Sequence, residues 1–307
     1  MVSLKKIFLC IYLVIFTFNL SASVEKIPVI TLHYNNSSYL KDFCWQAKQY
    51  NPYIIFIGDD ANNVYKEVDH FNINNFSIDS KKFESVYTHL CTNHFKYELF
   101  CFQRWFVLNE FMNYYNIDTC FHCDTDVMLY CNINMEYQNF SQYDLSIMIS
   151  PKGTASGHIS YWTKKCLQSF CDYIMNYYTD KTKLQNLKDI FERMQMKKLK
   201  GGICDMTLLT HFLHDQGSIW KSYNLRNIYG DAQFDHHMQC DEDYYEMVQD
   251  KSRNIKKITW DQDNFPYCFN KNLGVPIRFK ALHFQGGTKD LMEQYRREKF
   301  QNLVFGK

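Results

Sequence analysis

Neither sign of charge is in excess in this sequence: 34 Lys and Arg stand against 33 Asp and Glu, a formal net charge of +1. A chain so balanced carries no overall electrostatic footprint for nucleic acid, which is met by clustered Lys and Arg. There is no internal repeat and no low-complexity linker, so the mature chain reads as one compact unit with two functional halves. No pair of C-x-x-C units exists, which argues against a structural zinc site. After the first 23 residues no apolar run approaches the roughly 20 that span a bilayer. A disulfide-framework module is disfavoured by length, because 307 residues suffice for a full core.

The opening segment is the clearest targeting feature. Lys5 and Lys6 form a basic region, Ile7 to Leu20 is almost wholly apolar, and Ser21-Ala22-Ser23 supplies small residues. That is the layout of a secretory signal peptide over 1–23, or of an uncleaved signal-anchor with a lumenal domain behind it. Either places the rest of the chain in the secretory pathway, in the Golgi or ER lumen or secreted. Sequons at Asn35, Asn36, Asn75 and Asn139 agree with that compartment. Without Cys10, eleven of the twelve cysteines remain; an oxidising lumen predicts that some of them pair. Cys120 and Cys123 are expected in the core. The abundance of Tyr (23) and Phe (25) fits AT-rich coding first and a carbohydrate-binding surface second.

Apolar runs at 27–34 and 53–57 read as buried strands on either side of a helix over 41–50. Strand, helix, strand with continuous apolar runs predicts a parallel sheet covered on both faces, an α/β fold. A long amphipathic helix over 96–115 follows, with Cys101, Trp105, Leu108 and Met112 on one face. Thr119 to Cys123 is a further strand, and Asp124-Thr125-Asp126 sits at its carboxyl end. Ligands of open α/β sheets bind beyond that end. Strands are also expected at 144–150 and 158–162, helices at 164–193 and 204–213, and a tight turn at Gly201-Gly202.

Two carboxylates one residue apart at a strand end can converge on one hard divalent cation, which takes oxygen ligands from few protein groups plus substrate phosphates. Here the chain resembles the GT-A fold glycosyltransferases. Phe121-His122-Cys123-Asp124-Thr125-Asp126-Val127 looks like their D-x-D signature after a strand. Gly201-Gly202-Ile203-Cys204-Asp205 and Leu282-His283-Phe284-Gln285-Gly286 match in order and spacing. The resemblance implies a GT-A (Rossmann-like) mixed, mostly parallel sheet, a nucleotide-sugar-binding half over 24–150 and an acceptor-binding half over 151–307. It implies sugar transfer from a nucleoside-diphosphate donor, UDP-linked by preference, to a hydroxyl on a glycan, glycoprotein or glycolipid, with Mn²⁺ or Mg²⁺. Asp124, Asp126 and His283 would hold the metal. Thr31, His33, Tyr34, Asp59, Arg104, Asp124, Thr125 and Asp126 would line the donor site, and Gly286-Gly287 would let the backbone approach phosphate. Asp205 would be catalytic and, with His158, Trp162 and Gly202, would face the acceptor.

Two alternatives stay open on sequence grounds. Asp124-Thr125-Asp126-Val127 also fits the nucleophile motif of haloacid dehalogenase-like phosphatases, with Gly58-Asp59-Asp60 similar to their acidic loop, although the order is reversed. A non-catalytic secreted binding protein with a degenerate transferase fold is the other. Asp235-His236-His237 is expected on an exposed loop without a role.

Overall fold

The computed structural model describes residues 27–299, and the expected signal segment over 1–23 lies outside the described residues. The first apolar run forms β1 (Val29–His33), followed by α1 (Leu40–Tyr50) and β2 (Ile54–Gly58). β1 and β2 pair in parallel from Val29↔Ile54 to His33↔Gly58. Every residue of β2 is buried, as a strand covered on both faces requires. β3 (Asp69–Asn72) adds to β2 in parallel, and β4 (Thr119–Cys123) joins the other side of β1 in parallel, after α2 (Ile78–Val86) and α3 (Phe95–Tyr114).

Beyond β4 the chain changes sheets. β5 (Val127–Leu129) leads through α4 (Ile133–Tyr137) to β6 (Leu145–Ile149) and β7 (Ala155–Thr163), then α5 (Lys164–Thr179), α6 (Lys181–Met196), α7 (Asp205–Gln216) and β8 (Ser222–Asn224). The seven-stranded main sheet has the order β3-β2-β1-β4-β7-β6-β8. It is mixed and mostly parallel, with β7 antiparallel to both β4 and β6. The remaining strands are β9 (Ala232–Phe234), β10 (Met247–Asp250), β11 (Arg253–Lys256), β12 (Thr259–Trp260), β13 (Pro266–Asn270) and β14 (Val275–His283). β12, β13, β14 and β5 form a second sheet, with β9 parallel to β14, and β10 and β11 form a separate ribbon. Thus β7 and β8 enter the main sheet from beyond residue 150, while β5 leaves it for the second sheet.

The main sheet separates two apolar layers. Phe43, Ala47 and Phe121 pack with Met128, Phe279 and Leu282 on the face covered by α1 and the second sheet. Ile30, Ile55 and Phe102 pack with Trp105, Trp162, Phe170 and Phe212 on the face covered by α2, α3, α5 and α7. Each large side chain fully buried this way stabilises the fold by roughly 1.5–3 kcal/mol in transfer free energy. Among the described residues no helix is long and apolar enough to cross a membrane.

Three local expectations are revised. The helix expected over 164–193 is two helices, because Asp180 leaves helical geometry (ψ 121°) and its carboxylate accepts the amide of Lys183 to cap α6. The expected disulfides are not formed: the eleven described cysteines are all free thiols, and nine of them, Cys120 and Cys123 included, are buried in the core. The expected turn at Gly201-Gly202 is tighter than a surface turn. Gly201 is left-handed (φ +89°), and Gly202 bridges Cys91 so closely that a Cβ would lie 2.2 Å from the Leu90 carbonyl oxygen. Backbone cannot yield there as a flexible side chain would. Gly202→Ala is therefore expected to destabilise the protein by about 1–3 kcal/mol, read as a lower urea midpoint with unchanged slope. An unaltered midpoint would mean that the Leu90–Gly202 contact is loose.

Candidate functional site

The turn Asp124–Asp126 is closed by the Val127 amide donating to the Asp124 carbonyl at 3.1 Å. It is the point at which the chain leaves the main sheet. β5 then pairs antiparallel with β14, and the register sets His283 against Val127. The Phe284 amide donates to the Asp126 carbonyl at 2.8 Å. Residues 157 apart in sequence are brought together: His283 Nε2 lies 3.5 Å from Asp126 Oδ1.

The first carboxylate is held from the helix side. One guanidinium nitrogen of Arg104, on α3, donates to Asp124 Oδ1 at 2.6 Å, and another donates to Asp205 Oδ2, also at 2.6 Å. Trp105 Nε1 donates to the same Asp205 oxygen at 3.0 Å, and the Met206 amide donates to the other at 2.9 Å. Burial opposes ionisation of Asp124, but the Arg104 guanidinium, together with His122 and His158, holds the carboxyl well below the usual range. A planar fork that grips two carboxylates fixes both in orientation.

The second carboxylate is less completely satisfied. Lys289 Nζ lies 3.0 Å from Asp126 Oδ2, while Oδ1 is buried without a hydrogen-bond partner among the described residues. Burial again opposes ionisation of Asp126, while His283 and Lys289 favour it and together hold the carboxyl below the usual range. His283 Nδ1 donates to the His236 carbonyl at 2.6 Å, and its backbone amide donates to Asp235 Oδ2 at 3.2 Å. That carbonyl fixes the proton on Nδ1, so in the neutral ring Nε2 presents its lone pair toward Asp126. His158 stacks on His283 at 4.0 Å and bonds Ser156 Oγ through Nδ1 at 2.7 Å. Burial, then His283, drives the His158 imidazole well below its ordinary pKa, so it is neutral.

Arg104, Asp124, Asp126 and Lys289 line a cavity of about 620 Å³ together with His33 and Tyr34, whereas His283 and His158 do not line it. His33 Nδ1 is 3.0 Å from Thr125 Oγ1, and burial, with Lys289 second, pushes the imidazole down to about 4. Leu99 and Phe100 add an apolar side. The open acceptor Asp126 Oδ1 and the lone pair of His283 Nε2 fit a divalent cation completed by ligand phosphates. Among the described residues no group of three or more His, Cys, Asp or Glu side chains is arranged to hold a metal alone. Arg104 engages Asp124 through Oδ1.

Several expected site residues are placed elsewhere. Thr31 is fully buried and does not line the cavity. Asp59 caps the short turn after β2, accepting the amides of Ala61 and Asn35. It shapes the loop behind Tyr34 and does not line the cavity. Asp205 is not on an open acceptor pocket: it is 3% exposed, and its bonds to Arg104, Trp105 and Met206 engage both oxygens. Trp162 is core, stacked on Phe170 with Nε1 donating to Ser160 Oγ. Gly202 packs on Leu90, as described above, and His158 sits behind His283 rather than at an acceptor surface.

Two features escaped sequence reasoning. Lys289 lies six residues beyond His283, past Gly286 in the left-handed region (φ +63°); the only signal was its place after the Gly-Gly pair. The Asp235-His236-His237 segment is not an exposed loop. Asp235 is fully buried, paired at 2.7 Å with Lys256, which is also fully buried. Lys256 Nζ further donates to the His237 carbonyl at 2.8 Å. Lys256→Met would strand the Asp235 carboxylate in the interior. The expected loss is about 3–5 kcal/mol of folding stability, measured by urea denaturation; a variant as stable as the parent would show that Asp235 is solvated.

No protein-family model matches the chain, and no curated protein matches it in sequence. Solved structures similar in chain trace include mouse xyloside xylosyltransferase 1 in its apo form, at 9% identity and a TM-score of 0.46, covering 67% of this chain and 87% of that one. They also include the glycosyltransferase GlyE of Streptococcus pneumoniae TIGR4, at 15% identity and a TM-score of 0.36, covering 67% of this chain. The apo form of GlyE is matched at 12% identity and a TM-score of 0.33, over 66% of this chain. This chain spans 46% of the length of either GlyE structure.

Proposed function

We propose that the protein is a metal-dependent glycosyltransferase that moves a sugar from a nucleoside-diphosphate donor, UDP-linked by preference, to a hydroxyl of a glycan, glycoprotein or glycolipid. The observation that carries this reading is the facing pair of Asp126 Oδ1, buried and unpartnered among the described residues, and His283 Nε2, 3.5 Å apart beside the cavity. Asp126 and His283 would hold Mn²⁺ or Mg²⁺. Asp124 would stand by as the carboxylate fixed by Arg104. The cation supplies charge neutralisation for a departing diphosphate.

The chain's own residues divide the remaining work. Tyr34, 39% exposed and edge-on to Phe100 at 4.8 Å, offers an aromatic surface for the nucleoside base. His33, kept neutral, is a hydrogen-bonding group for the ribose. The Lys289 ammonium, 34% exposed in its side chain, is placed for a phosphate oxygen once Asp126 is otherwise engaged. Arg104 contributes fixed positive charge at the opposite wall. In the transfer, the acceptor oxygen bonds to the anomeric carbon, that carbon's bond to the diphosphate breaks, and the proton of the acceptor hydroxyl passes to an oxygen of the departing diphosphate. Asp205 acts in this scheme as a positioning residue for Arg104 rather than as the base. The donor half would be drawn from 24–150 and the acceptor half from 151–307. Secretory localisation is part of the proposal and rests on the N-terminal sequence.

The test is a thermal-shift titration of the full chain with UDP-, GDP- and CMP-sugars, with and without Mn²⁺. A ligand present at about a hundred times its dissociation constant adds about 2.7 kcal/mol to the native state. Stabilisation by one nucleotide class that requires Mn²⁺ is expected, and Asp126→Ala should abolish both that shift and sugar transfer while the unliganded melting temperature stays near that of the parent. An Asp126→Ala protein that turned over donor at the parent rate would overturn the metal assignment. Stabilisation by phosphate esters but by no nucleotide would favour the phosphatase, and silence toward all of them the binding protein.

A further inference from the structure

The carboxyl edge of the main sheet carries a second cavity, of about 720 Å³. β7 is antiparallel to both β4 and β6, so β6 runs in the direction of β4, and β8 runs parallel to β6. The ends of β6 and β8, at Ile149 and Asn224, therefore lie on the edge from which Asp124 projects, and both line this cavity. Its lining residues carry four polar atoms that are buried without hydrogen-bond partners among the described residues: Arg226 Nη1, Gln233 Nε2, Asp243 Oδ2 and Tyr245 Oη. Arg226 is 8% exposed and Gln233 4%. Folded proteins leave few such groups unpaired, at about 1–3 kcal/mol each. Four around one cavity mark a place where a ligand supplies the missing partners.

Charge and shape select the ligand class. Arg226 Nε donates to Asp243 Oδ1 at 2.6 Å, and Glu242 is paired with Lys152 at 2.7 Å. The charges of the wall are thus matched internally, which leaves no excess for an anion. What remains is a donor on each of Arg226 and Gln233, the Tyr245 hydroxyl, and an Asp243 oxygen, Oδ2, with Lys256 Nζ 3.6 Å away, a pattern that hydroxyl groups satisfy because each both donates and accepts. Tyr244, 59% exposed at the rim, offers an aromatic face to an apolar ring surface. We propose that this cavity binds a neutral, hydroxyl-rich ring: a sugar unit of the acceptor glycan. Its role as acceptor site rests on the transferase reading above; its recognition of a sugar does not.

The cavity is wired to the first site by side chains. Asp243 Oδ2 is 3.6 Å from Lys256 Nζ, Lys256 pairs with Asp235, and Asp235 accepts the His283 amide. A sugar hydroxyl on Asp243 would therefore rest on the same buried network that orients His283.

The experiment titrates the full chain, by calorimetry and saturation-transfer NMR, with the methyl glycosides of glucose, galactose, xylose, mannose and N-acetylglucosamine. Inorganic phosphate serves as the anion probe, and UDP with Mn²⁺ reports on the first cavity. At least one glycoside is expected to bind saturably and to resist displacement by phosphate. Gln233→Leu and Tyr244→Ala are each expected to weaken it at least tenfold, with UDP–Mn²⁺ affinity and melting temperature unchanged. Tyr244 is exposed, so its variant keeps the test informative if Gln233→Leu fails to fold. Absence of binding by every glycoside, indifference of a bound glycoside to the folded variants, or displacement by phosphate would each overturn the proposal. Glycoside binding that depends on these residues in a parent chain that ignores UDP and Mn²⁺ would support the sugar site while sinking the transferase reading.

Discussion

Three residue pairs, Val127↔His283, Met128↔Leu282 and Leu129↔Ala281, decide where the chemistry of this protein can occur. They carry the chain from the main sheet into the second one immediately after Asp126. Side-chain direction alternates along a strand, so a slip of one residue in this register would turn His283 away from Asp126. The slip is resisted by burial: Val127, Met128, Leu129, Ala281 and Leu282 are all fully buried. The apolar packing between the sheets thereby holds a polar pair in place.

Around that junction the interior carries an unusual density of paired charge. Arg104 sits between Asp124 and Asp205, Lys289 beside Asp126, and Lys256 between Asp235 and Asp243. Buried ion pairs of this kind contribute little net stability against apolar replacements, because desolvation offsets most of the attraction. Their value here is geometric. Each cation has more than one partner, so the carboxylates and the histidine tautomer are oriented before any ligand arrives. Within the first cluster the carboxylate oxygen buried without a hydrogen-bond partner among the described residues is Asp126 Oδ1, which is why the proposed cation is assigned there.

The two cavities share one edge of the sheet but differ in character. The first, beside β1 and β4, combines an apolar wall with carboxylates and the cations Lys96, Arg104 and Lys289. The second, beside β6 and β8, has internally matched charges and several buried polar atoms without hydrogen-bond partners among the described residues. A charged, part-aromatic ligand suits one, and an uncharged polyhydroxyl ligand suits the other. The buried route through Lys256 and Asp235 gives them a common support.

Much of the first half of the fold was legible in the sequence. The runs at β1 and β2 are apolar without interruption, which only a strand covered on both faces requires, and Trp105, Leu108 and Met112 keep helical spacing along α3. The acidic pair at the end of β4 was legible for the same local reason, and Arg104 was within one helix of it. The second sheet was not, because its strands are short or, like Val275–His283, alternate too weakly to stand apart from loop. The single long helix expected over 164–193 failed at Asp180, where a cap residue overrides helical periodicity.

What the sequence by itself determined is therefore local: which segments are strands and helices, and that two carboxylates follow a buried strand. The tertiary structure decided the partners. It engaged both oxygens of Asp205 with Arg104, Trp105 and Met206, buried Trp162, and turned Asp235-His236-His237 from an apparent surface loop into the support of His283. It also brought Lys289 to Asp126. These contacts span from tens of residues to more than a hundred and depend on strand register and burial, neither of which is encoded in the spacing of neighbouring residues.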